Sequence, residues 1–205
     1  MSALSYWLPE RRLILASGSR SRSHLLTAAG LPHDIVPAQI DERAIEQSLS
    51  HTDGPTIAGA LAREKATSIA ARYAGRIVLG ADQTLSLDSA LLHKAATMEE
   101  ARRQLLSMCG RMHRLNSAIA VVKDKEILFE TVVTAKISVR DFSEQFLDDY
   151  LAAAGESVLS SVGCYQVEGH GVHLFDAIEG DQFTIMGLPI LPLLNYFRET
   201  GYIRT

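Results

Sequence analysis

The fold of this chain is indicated by an apolar run that stops at small polar residues, Leu13-Ile14-Leu15-Ala16-Ser17-Gly18-Ser19-Arg20-Ser21-Arg22. The pattern predicts a buried strand over residues 12–16, a tight turn, and a helix over residues 21–29 that ends at Gly30. The N–H groups of the turn and the positive end of the helix dipole favour an anion, to which Arg22 can donate two hydrogen bonds. The stretch therefore predicts a strand–turn–helix unit with a phosphate site.

The composition indicates one globular domain over residues 1–205. The chain is 47% hydrophobic and 21% charged, which separates it from disordered and membrane-embedded classes. Its net charge of −4 argues against a broad nucleic-acid-binding face, although local cations can still bind a small anion. No signal peptide or bilayer-spanning run is apparent, so no membrane attachment is expected. Cys109 and Cys164 lack disulfide or metal-binding spacing, so we expect reduced thiols and a cytoplasmic protein.

Strand and helix patterns alternate along the rest of the chain. Further strands are predicted over residues 77–80, 84–87, 114–122, 127–139 and 172–175, and further helices over residues 56–74, 97–108, 143–153 and 189–199. A capping box, Thr97-Met98-Glu99-Glu100, begins the second of these helices. The alternation predicts an α/β fold in which helices flank a twisted, mixed sheet.

A lysine interrupts the apolar face of the helix predicted over residues 56–74. That face repeats every four positions, through Ile57, Leu61, Lys65, Ile69 and Tyr73. Lys65 either buries its stem and extends its ammonium to solvent, or holds its charge toward a cleft. The spacing alone favours neither interpretation.

Acidic residues follow two apolar segments. Asp82 comes at the end of the strand predicted over residues 77–80, where α/β sheets bind ligands, but a turn aspartate is also common there. Glu42 by itself is typical of an exposed acid. Together the two carboxylates suit Mg²⁺ or Mn²⁺ bound along with substrate phosphates. Combined with Lys65 and the loop lysine Lys94, they suit phosphoryl-type hydrolysis of a polyphosphate.

Two histidines, His170 and His173, have a three-residue spacing that suits a metal site on a helix. Glycines at positions 169 and 171 argue against a helix there. We therefore expect both histidines to lie in a loop or at the surface.

Short motifs occur in a fixed order between residues 13 and 194. They are Leu15-Ala16-Ser17-Gly18-Ser19 with Arg22, Asp41-Glu42, Leu61-Ala62-Arg63-Glu64-Lys65-Ala66, Gly80-Ala81-Asp82-Gln83, Lys94, Glu168-Gly169-His170-Gly171 and Gly187-Leu188-Pro189. As an ordered set they resemble the Maf family of nucleoside triphosphate pyrophosphatases. The resemblance implies a mixed α/β sheet with a central cleft, a homodimer in many members, and hydrolysis of a nucleotide to its monophosphate and pyrophosphate. It also implies a divalent metal cofactor, Mg²⁺, Mn²⁺ or Co²⁺.

The resemblance implies roles for individual residues. Asp82 corresponds to the catalytic base and, with Glu42, to the metal-binding carboxylates. Lys65 and Lys94 correspond to catalytic cations. The positions that correspond to substrate-binding residues are Ser17, Ser19, Ser21, Arg22, Gln83 and Glu168.

The pair Gln83 and Glu168 resembles the family group that acts on 7-methyl-GTP. Members that prefer dTTP and UTP usually have threonine and glutamine at these positions. A carboxylate can accept both N1–H and N2–H of guanine, whereas thymine offers one donor between two carbonyls. We therefore expect 7-methyl-GTP or a related purine as the substrate, with dTTP and UTP as the alternative.

Two further interpretations remain open at this stage. One is an enzyme that removes deaminated purine nucleotides such as ITP and XTP. The other is a nucleotide-binding regulator of cell division that does not hydrolyse its ligand. Turnover of a nucleotide panel distinguishes them, because the first hydrolyses deaminated purines and the second hydrolyses nothing.

Overall fold

The computed structural model describes residues 6–49 and 53–205, and seven strands and seven α-helices occur within them. The strands are β1 Leu13–Leu15, β2 His33–Ile35, β3 Ile77–Leu87, β4 Ala90–Leu92, β5 Met112–Lys123, β6 Glu126–Val139 and β7 Phe175–Glu179. The helices are α1 Arg20–Ala28, α2 Glu42–Ser48, α3 Gly54–Ala70, α4 Met98–Met108, α5 Glu144–Ala154, α6 Gln182–Ile185 and α7 Ile190–Glu199. Two 3₁₀ helices span Gly155–Ser160 and His170–Leu174.

All seven strands belong to one mixed sheet. The strand order is β2-β1-β3-β5-β6-β7, and β4 pairs with β3 outside this path. Strand β1 is parallel to both β2 and β3, whereas β4 is antiparallel to β3 and β7 is antiparallel to β6. With helices flanking this sheet, the predicted mixed α/β class is confirmed.

The chain divides into two compact units, each with its own core. The first unit contains the described residues up to Asp82, with Ser117–Val133 and Gly187–Thr205. Its core includes the small, buried face of α3, which consists of Ala58, Ala62 and Ala66. The second unit contains Gln83–Asn116 and Thr134–Met186, and its core includes larger side chains such as Leu105, Leu147 and Tyr165.

Local signals position the first helix as predicted. The Ser19 side chain caps α1 by accepting a hydrogen bond from the N–H of Arg22. Gly30 follows the helix with a φ of 69°, in the left-handed region that glycine adopts readily. The helix therefore begins one residue earlier and ends one residue earlier than the prediction.

The second predicted helix is shifted toward its N-terminus. Helix α3 begins at Gly54 because Asp53 caps it, accepting a hydrogen bond from the N–H of Thr56 at 3.0 Å. It ends at Ala70 rather than residue 74. The chain then turns at Gly75, whose φ is 72° and whose N–H donates to Oδ1 of Asp124 at 2.6 Å. These contacts end the helix one turn before the predicted end.

The strand predicted over residues 77–80 is too short. Strand β3 continues without a break to Leu87, so Asp82 lies within the strand and not at its end. The predicted strand over residues 84–87 is the second half of the same element. The polar pair Asp82-Gln83 interrupts the apolar pattern, which is why the sequence indicated two strands.

The region after Gly169 also differs from the prediction. Instead of a strand over residues 172–175, a 3₁₀ helix spans His170–Leu174 and strand β7 follows it. The expectation that glycine prevents helical structure there was therefore wrong. Both His170 and His173 are nevertheless exposed, as expected.

The remaining predicted elements are present with small shifts in their ends. The capping box of α4 is formed: Thr97 accepts from the N–H of Glu100, and Glu100 accepts from the N–H of Ala96 at 2.7 Å. Five short elements had not been predicted, namely β2, α2, β4, α6 and the 3₁₀ helix Gly155–Ser160.

Two expectations from composition can be compared with the structure. Cys109 and Cys164 are not joined in a disulfide, and burial raises the pKa of Cys164 to about 11. In the described part of the chain, every helix is too short or too polar to cross a bilayer.

Candidate active site

A buried arginine ties together three separated stretches of the first unit. The Nε of Arg22 donates to the carbonyl of Gly187 at 2.8 Å, and its Nη1 donates to the carbonyl of Ala81 at 2.7 Å and to Oγ of Ser17 at 2.9 Å. Burial lowers the pKa of Arg22, and the charges of Asp82 and Glu42 oppose that shift. Because Nε and Nη1 are engaged, Nη2 is the nitrogen through which Arg22 can contact a ligand.

The turn before α1 presents a serine suited to donating a hydrogen bond. Ser17 is buried, and its Oγ accepts from the N–H of Ser19 at 3.3 Å as well as from Arg22. A hydroxyl that accepts two hydrogen bonds still has its own O–H to donate. Ser19 and Ser21 lie beside it, with their Oγ atoms 3.0 Å apart, and the oxygen of Ser19 also caps the helix.

The lysine on the apolar face of α3 points its charge at two carboxylates. Nζ of Lys65 donates to Oδ1 of Asp82 and lies 2.7 Å from Oε1 of Glu42. The side chains of Lys65 and Asp82 are 11% and 9% exposed, whereas that of Glu42 is 52% exposed. Of the two interpretations left open by the spacing, the first is wrong: the ammonium does not extend to solvent but contacts the two carboxylates.

A glycine in β3 permits this pairing. A Cβ at Gly80 would lie 2.0 Å from the carbonyl oxygen of Ala62 and 2.7 Å from the N–H nitrogen of Ala66. Side chains two residues apart on a strand share one face, so Gly80 and Asp82 both face α3. The missing side chain lets the backbone of α3 approach the strand closely enough for Lys65 to reach Asp82.

In the second unit, Gln83 is held by the carbonyl groups of α6. Its Nε2 donates to the carbonyl oxygens of Thr184 at 3.1 Å and Ile185 at 3.0 Å. Asp181 caps that helix by accepting from both the N–H and the hydroxyl of Thr184. These two contacts engage the amide nitrogen of Gln83, and the acceptor of the side chain is its amide oxygen.

The other two predicted residues of the second unit are exposed. Lys94 follows β4, and Glu168 precedes the 3₁₀ helix that begins at His170. The structure thus brings Ser17, Arg22, Glu42, Lys65 and Asp82 together within the first unit. Gln83, Lys94 and Glu168 belong to the second unit.

A family model for Maf-like proteins matches residues 12–200, a span that includes every predicted site residue. The chain belongs to the Maf family. The resemblance noted from the ordered motifs is therefore confirmed.

This Maf protein is similar in sequence to proteins that are named as pyrophosphatases. It is 49% identical to a nucleoside triphosphate pyrophosphatase of Nitrobacter winogradskyi, over 95% of this chain and 96% of that protein. It is also 49% identical to a 7-methyl-GTP pyrophosphatase of Rhizobium meliloti, over 93% of this chain and 97% of that protein. A solved nucleoside-triphosphatase / dITP/XTP pyrophosphatase from Mycobacterium abscessus is similar at a TM-score of 0.37 and 15% identity, over 63% of this chain and 74% of that chain.

The Maf chain offers two carboxylates that fit a divalent metal. Asp82 and Glu42 converge on one point, and carboxylate oxygens are the ligands that Mg²⁺ and Mn²⁺ prefer. Among the described residues, no group of three or more histidine, cysteine, aspartate or glutamate side chains could hold a metal ion. Such a site therefore suits an ion that takes its other ligands from substrate phosphates and water.

Several residues that shape the Maf site were not found by the sequence reasoning. Gly80 was a detectable signal, since a glycine inside a strand often marks the close approach of another backbone. The carbonyl groups of Ala81, Gly187 and Thr184 gave no signal, because a backbone acceptor leaves no mark on the residue type.

Proposed function

We propose that this Maf protein hydrolyses a nucleoside triphosphate to the monophosphate and pyrophosphate, with 7-methyl-GTP or a related purine nucleotide as its preferred substrate. Its role is to keep non-standard nucleotides from being incorporated. The observation that carries the proposal is the buried pair of Asp82 and Lys65 beside Glu42 and Arg22. The names of the two relatives at 49% identity support the same chemistry.

The chemistry follows from charge and position. The carboxylate of Asp82, buried beside Lys65, is the base that takes a proton from the water attacking the α-phosphorus. Nη2 of Arg22, the hydroxyl of Ser17 and the ammonium of Lys94 neutralise charge on the phosphates and on the pyrophosphate leaving group. Asp82 and Glu42 would hold a divalent cation, Mg²⁺, Mn²⁺ or Co²⁺, which supplies Lewis-acid charge neutralisation when bound.

The base preference rests on two hydrogen-bond acceptors. Glu168 has an exposed carboxylate, and Gln83, whose Nε2 donates to the carbonyl groups of α6, has its amide oxygen as the acceptor of its side chain. Guanine has two adjacent donors, N1–H and N2–H, for which such acceptors are suited. Uracil and thymine have a single donor, N3–H, between two carbonyl oxygens. Two protein acceptors would be repelled by those carbonyl oxygens.

The deciding experiment measures pyrophosphate release from a nucleotide panel with Mg²⁺, Mn²⁺ or Co²⁺. The panel contains 7-methyl-GTP, GTP, dTTP, UTP, CTP, ITP and XTP. We expect 7-methyl-GTP to have the highest kcat/KM, and Asp82→Asn to lower kcat by about 10²- to 10⁴-fold, as for loss of a general base. Asp149→Asn, which neutralises an exposed carboxylate on α5, is the matched control and should retain activity.

The other outcomes identify the alternatives. Hydrolysis of dTTP and UTP at least as fast as 7-methyl-GTP would show a pyrimidine-directed enzyme. A preference for ITP and XTP would show a deaminated-purine enzyme. Binding of nucleotides without turnover of any of them would favour a regulator that does not hydrolyse its ligand. The homodimer and the cytoplasmic location stay predictions, which analytical ultracentrifugation and cell fractionation test.

A further inference from the structure

The positive charge of Lys65 occupies the place where a divalent cation would bind. Its Nζ contacts one oxygen of Asp82 and lies 2.7 Å from one oxygen of Glu42. The guanidinium of Arg22 interacts electrostatically with the same two carboxylates. Two negative charges are thus matched by two positive charges inside the protein, and no excess negative charge is left to attract a free metal ion.

We propose that Lys65 is a built-in counter-cation that keeps divalent metal ions from binding the free protein, so that the metal enters together with the nucleotide. The inference rests on the proposed function in one respect only, which is that the incoming ligand is a nucleotide polyphosphate. It assigns Lys65 a role before catalysis, separate from the role of catalytic cation that the family resemblance implies.

The exposure of the three side chains explains how the exchange can occur. Asp82 is buried and fixed on β3, whereas Glu42 is half exposed at the first position of the short helix α2. Glu42 can therefore leave Lys65 without unfolding its surroundings. A polyphosphate supplies the anionic partner that Lys65 needs once the carboxylates turn to a metal.

The charge of the ligand determines whether Arg22 and Lys65 attract it or repel it. A triphosphate brings several negative charges, so a metal–nucleotide complex is attracted by Arg22 and Lys65, whereas a bare divalent cation is repelled by both. The donor set agrees with this, because two carboxylates are too few to strip Mg²⁺ or Mn²⁺ of its water without additional phosphate oxygens. The positive charges of Lys65 and Arg22 therefore repel the free metal ion and attract the metal–nucleotide complex.

The test is a titration of the nucleotide-free protein with Mn²⁺, with free Mn²⁺ followed by electron paramagnetic resonance. We expect the wild type to show no binding below millimolar concentrations. Lys65→Met keeps the helix and the length of the side chain but removes the charge, and should bind Mn²⁺ about tenfold or more tightly than the wild type. Adding α,β-methylene GTP, whose α–β link cannot be hydrolysed, should make the wild type lower free Mn²⁺ further than the same concentration of the analogue does without protein.

Three control variants make the titration specific. Lys65→Arg retains the charge, and its affinity for Mn²⁺ should stay as low as that of the wild type. Lys125→Met removes an exposed lysine from the turn between β5 and β6 and should also stay weak. Lys65→Met combined with Asp82→Asn should lose the gained affinity, because the ion would bind at the carboxylates. Circular dichroism verifies that each variant is folded.

Two results would overturn the proposal. One is a Lys65→Met protein that is folded and binds Mn²⁺ no more tightly than the wild type. The other, which needs no Lys65 variant, is micromolar Mn²⁺ binding by the nucleotide-free wild type that Asp82→Asn abolishes. If Lys65→Met binds more tightly but α,β-methylene GTP has no effect, the counter-cation role stands, and the proposed nucleotide substrate is what fails.

Discussion

At the scale of single residues, hydrogen-bond capacity decides what the site can do. Arg22 uses two of its three nitrogens on the carbonyls of Gly187 and Ala81 and on Ser17. Gln83 uses both of its N–H donors on the carbonyls of Thr184 and Ile185. Each side chain is therefore held in place by backbone carbonyl groups.

Replacing Arg22 by lysine should destabilise the first unit although the charge is retained. The ammonium cannot reach the carbonyls of Gly187 and Ala81 together, so buried carbonyl oxygens lose their donors. We expect the free energy of unfolding in urea to fall by about 2–3 kcal/mol. Arg72→Lys, an exchange at an exposed position after α3, should change it by less than about 0.5 kcal/mol. Equal effects of the two variants would contradict the role assigned to Arg22.

Replacing Gln83 by methionine should weaken base selection and leave phosphate chemistry intact. Methionine is similar in length but has no strong acceptor for a guanine N–H. We expect the ratio of kcat/KM for 7-methyl-GTP to that for dTTP to fall about tenfold, mainly through KM. Gln145→Met, on the exposed face of α5, is the matched control. An unchanged ratio would show that Gln83 does not read the base.

At the scale of elements, close packing of α3 on β3 aligns the charged pair. The helix faces the strand with alanines, and the strand faces the helix with Gly80. Small residues on both sides bring the backbones near each other, and Lys65 then meets Asp82 across the contact. The geometry of the Lys65–Asp82 pair therefore depends on the absence of one methyl group at Gly80.

A methyl group at Gly80 should therefore disturb both stability and activity. In Gly80→Ala the new Cβ would stand 2.0 Å from the carbonyl oxygen of Ala62, so the helix must move away. We expect a loss of about 1–3 kcal/mol in stability, as for overpacked cores, and a lower kcat because Lys65 is displaced. Thermal unfolding and steady-state kinetics measure the two effects.

Helix α3 itself provides the control for that substitution. A Cβ at Gly59 would lie 3.5 Å from Cγ2 of Val132, which is an ordinary contact. Gly59→Ala should therefore stabilise the protein, by about 0.5–1 kcal/mol, because glycine is a poor helix former. A Gly80→Ala protein as stable and active as Gly59→Ala would show that the close approach is unimportant.

Elements marked by local signals were predictable, and elements that depend on distant partners were not. Helices α1 and α4 have side-chain caps within four residues, so their starts could be read from the sequence. Strand β3 could not, because the partner that makes Asp82 tolerable inside a strand is 17 residues away on α3. The 3₁₀ helix at His170 was missed for a different reason, which is that helix propensity says little about so short a turn.

At the scale of the whole molecule, the sequence predicted the α/β class and the residues of the first-unit cluster. Alternating apolar patterns and an ordered set of motifs are properties of the entire chain, so errors in single elements did not affect them. The division into two compact units was not predicted, because it follows from contacts between segments far apart in sequence. The carbonyl of Gly187, which accepts a hydrogen bond from Arg22, was also not predicted, because the two residues are far apart in sequence.

The stability of the protein should decline in mild acid because of one buried histidine. His113 is fully buried, its Nε2 lies 2.7 Å from the hydroxyl of Tyr165, and among the described residues its Nδ1 has no hydrogen-bond partner. Burial lowers the pKa of His113 from 6.5 to about 4. The unfolded chain therefore binds a proton that the folded chain does not between about pH 6.5 and pH 4.

Neutral His113 makes its full contribution to the free energy of unfolding above about pH 6.5. As the pH falls toward 4, this contribution is lost, which lowers the free energy of unfolding by up to about 3 kcal/mol. His113→Phe removes the titration, so its unfolding free energy should depend less on pH, although loss of the Tyr165 contact makes it less stable at pH 7.5. Guanidinium unfolding at pH 7.5, 6.0 and 5.0 tests this. A difference between the two proteins that does not shrink as the pH falls would contradict the prediction.

The order in which the segments of the first unit occur in the chain has a consequence for synthesis on the ribosome. That unit is interrupted twice by the second, and Arg22 takes one of its acceptors from Gly187, while Trp7 packs against Phe197. A nascent chain can close the second unit as soon as Met186 has emerged. The turn before α1 and its neighbour Arg22 are then still without the contact to Gly187, and the first part of the protein to be made is the last to become fully folded.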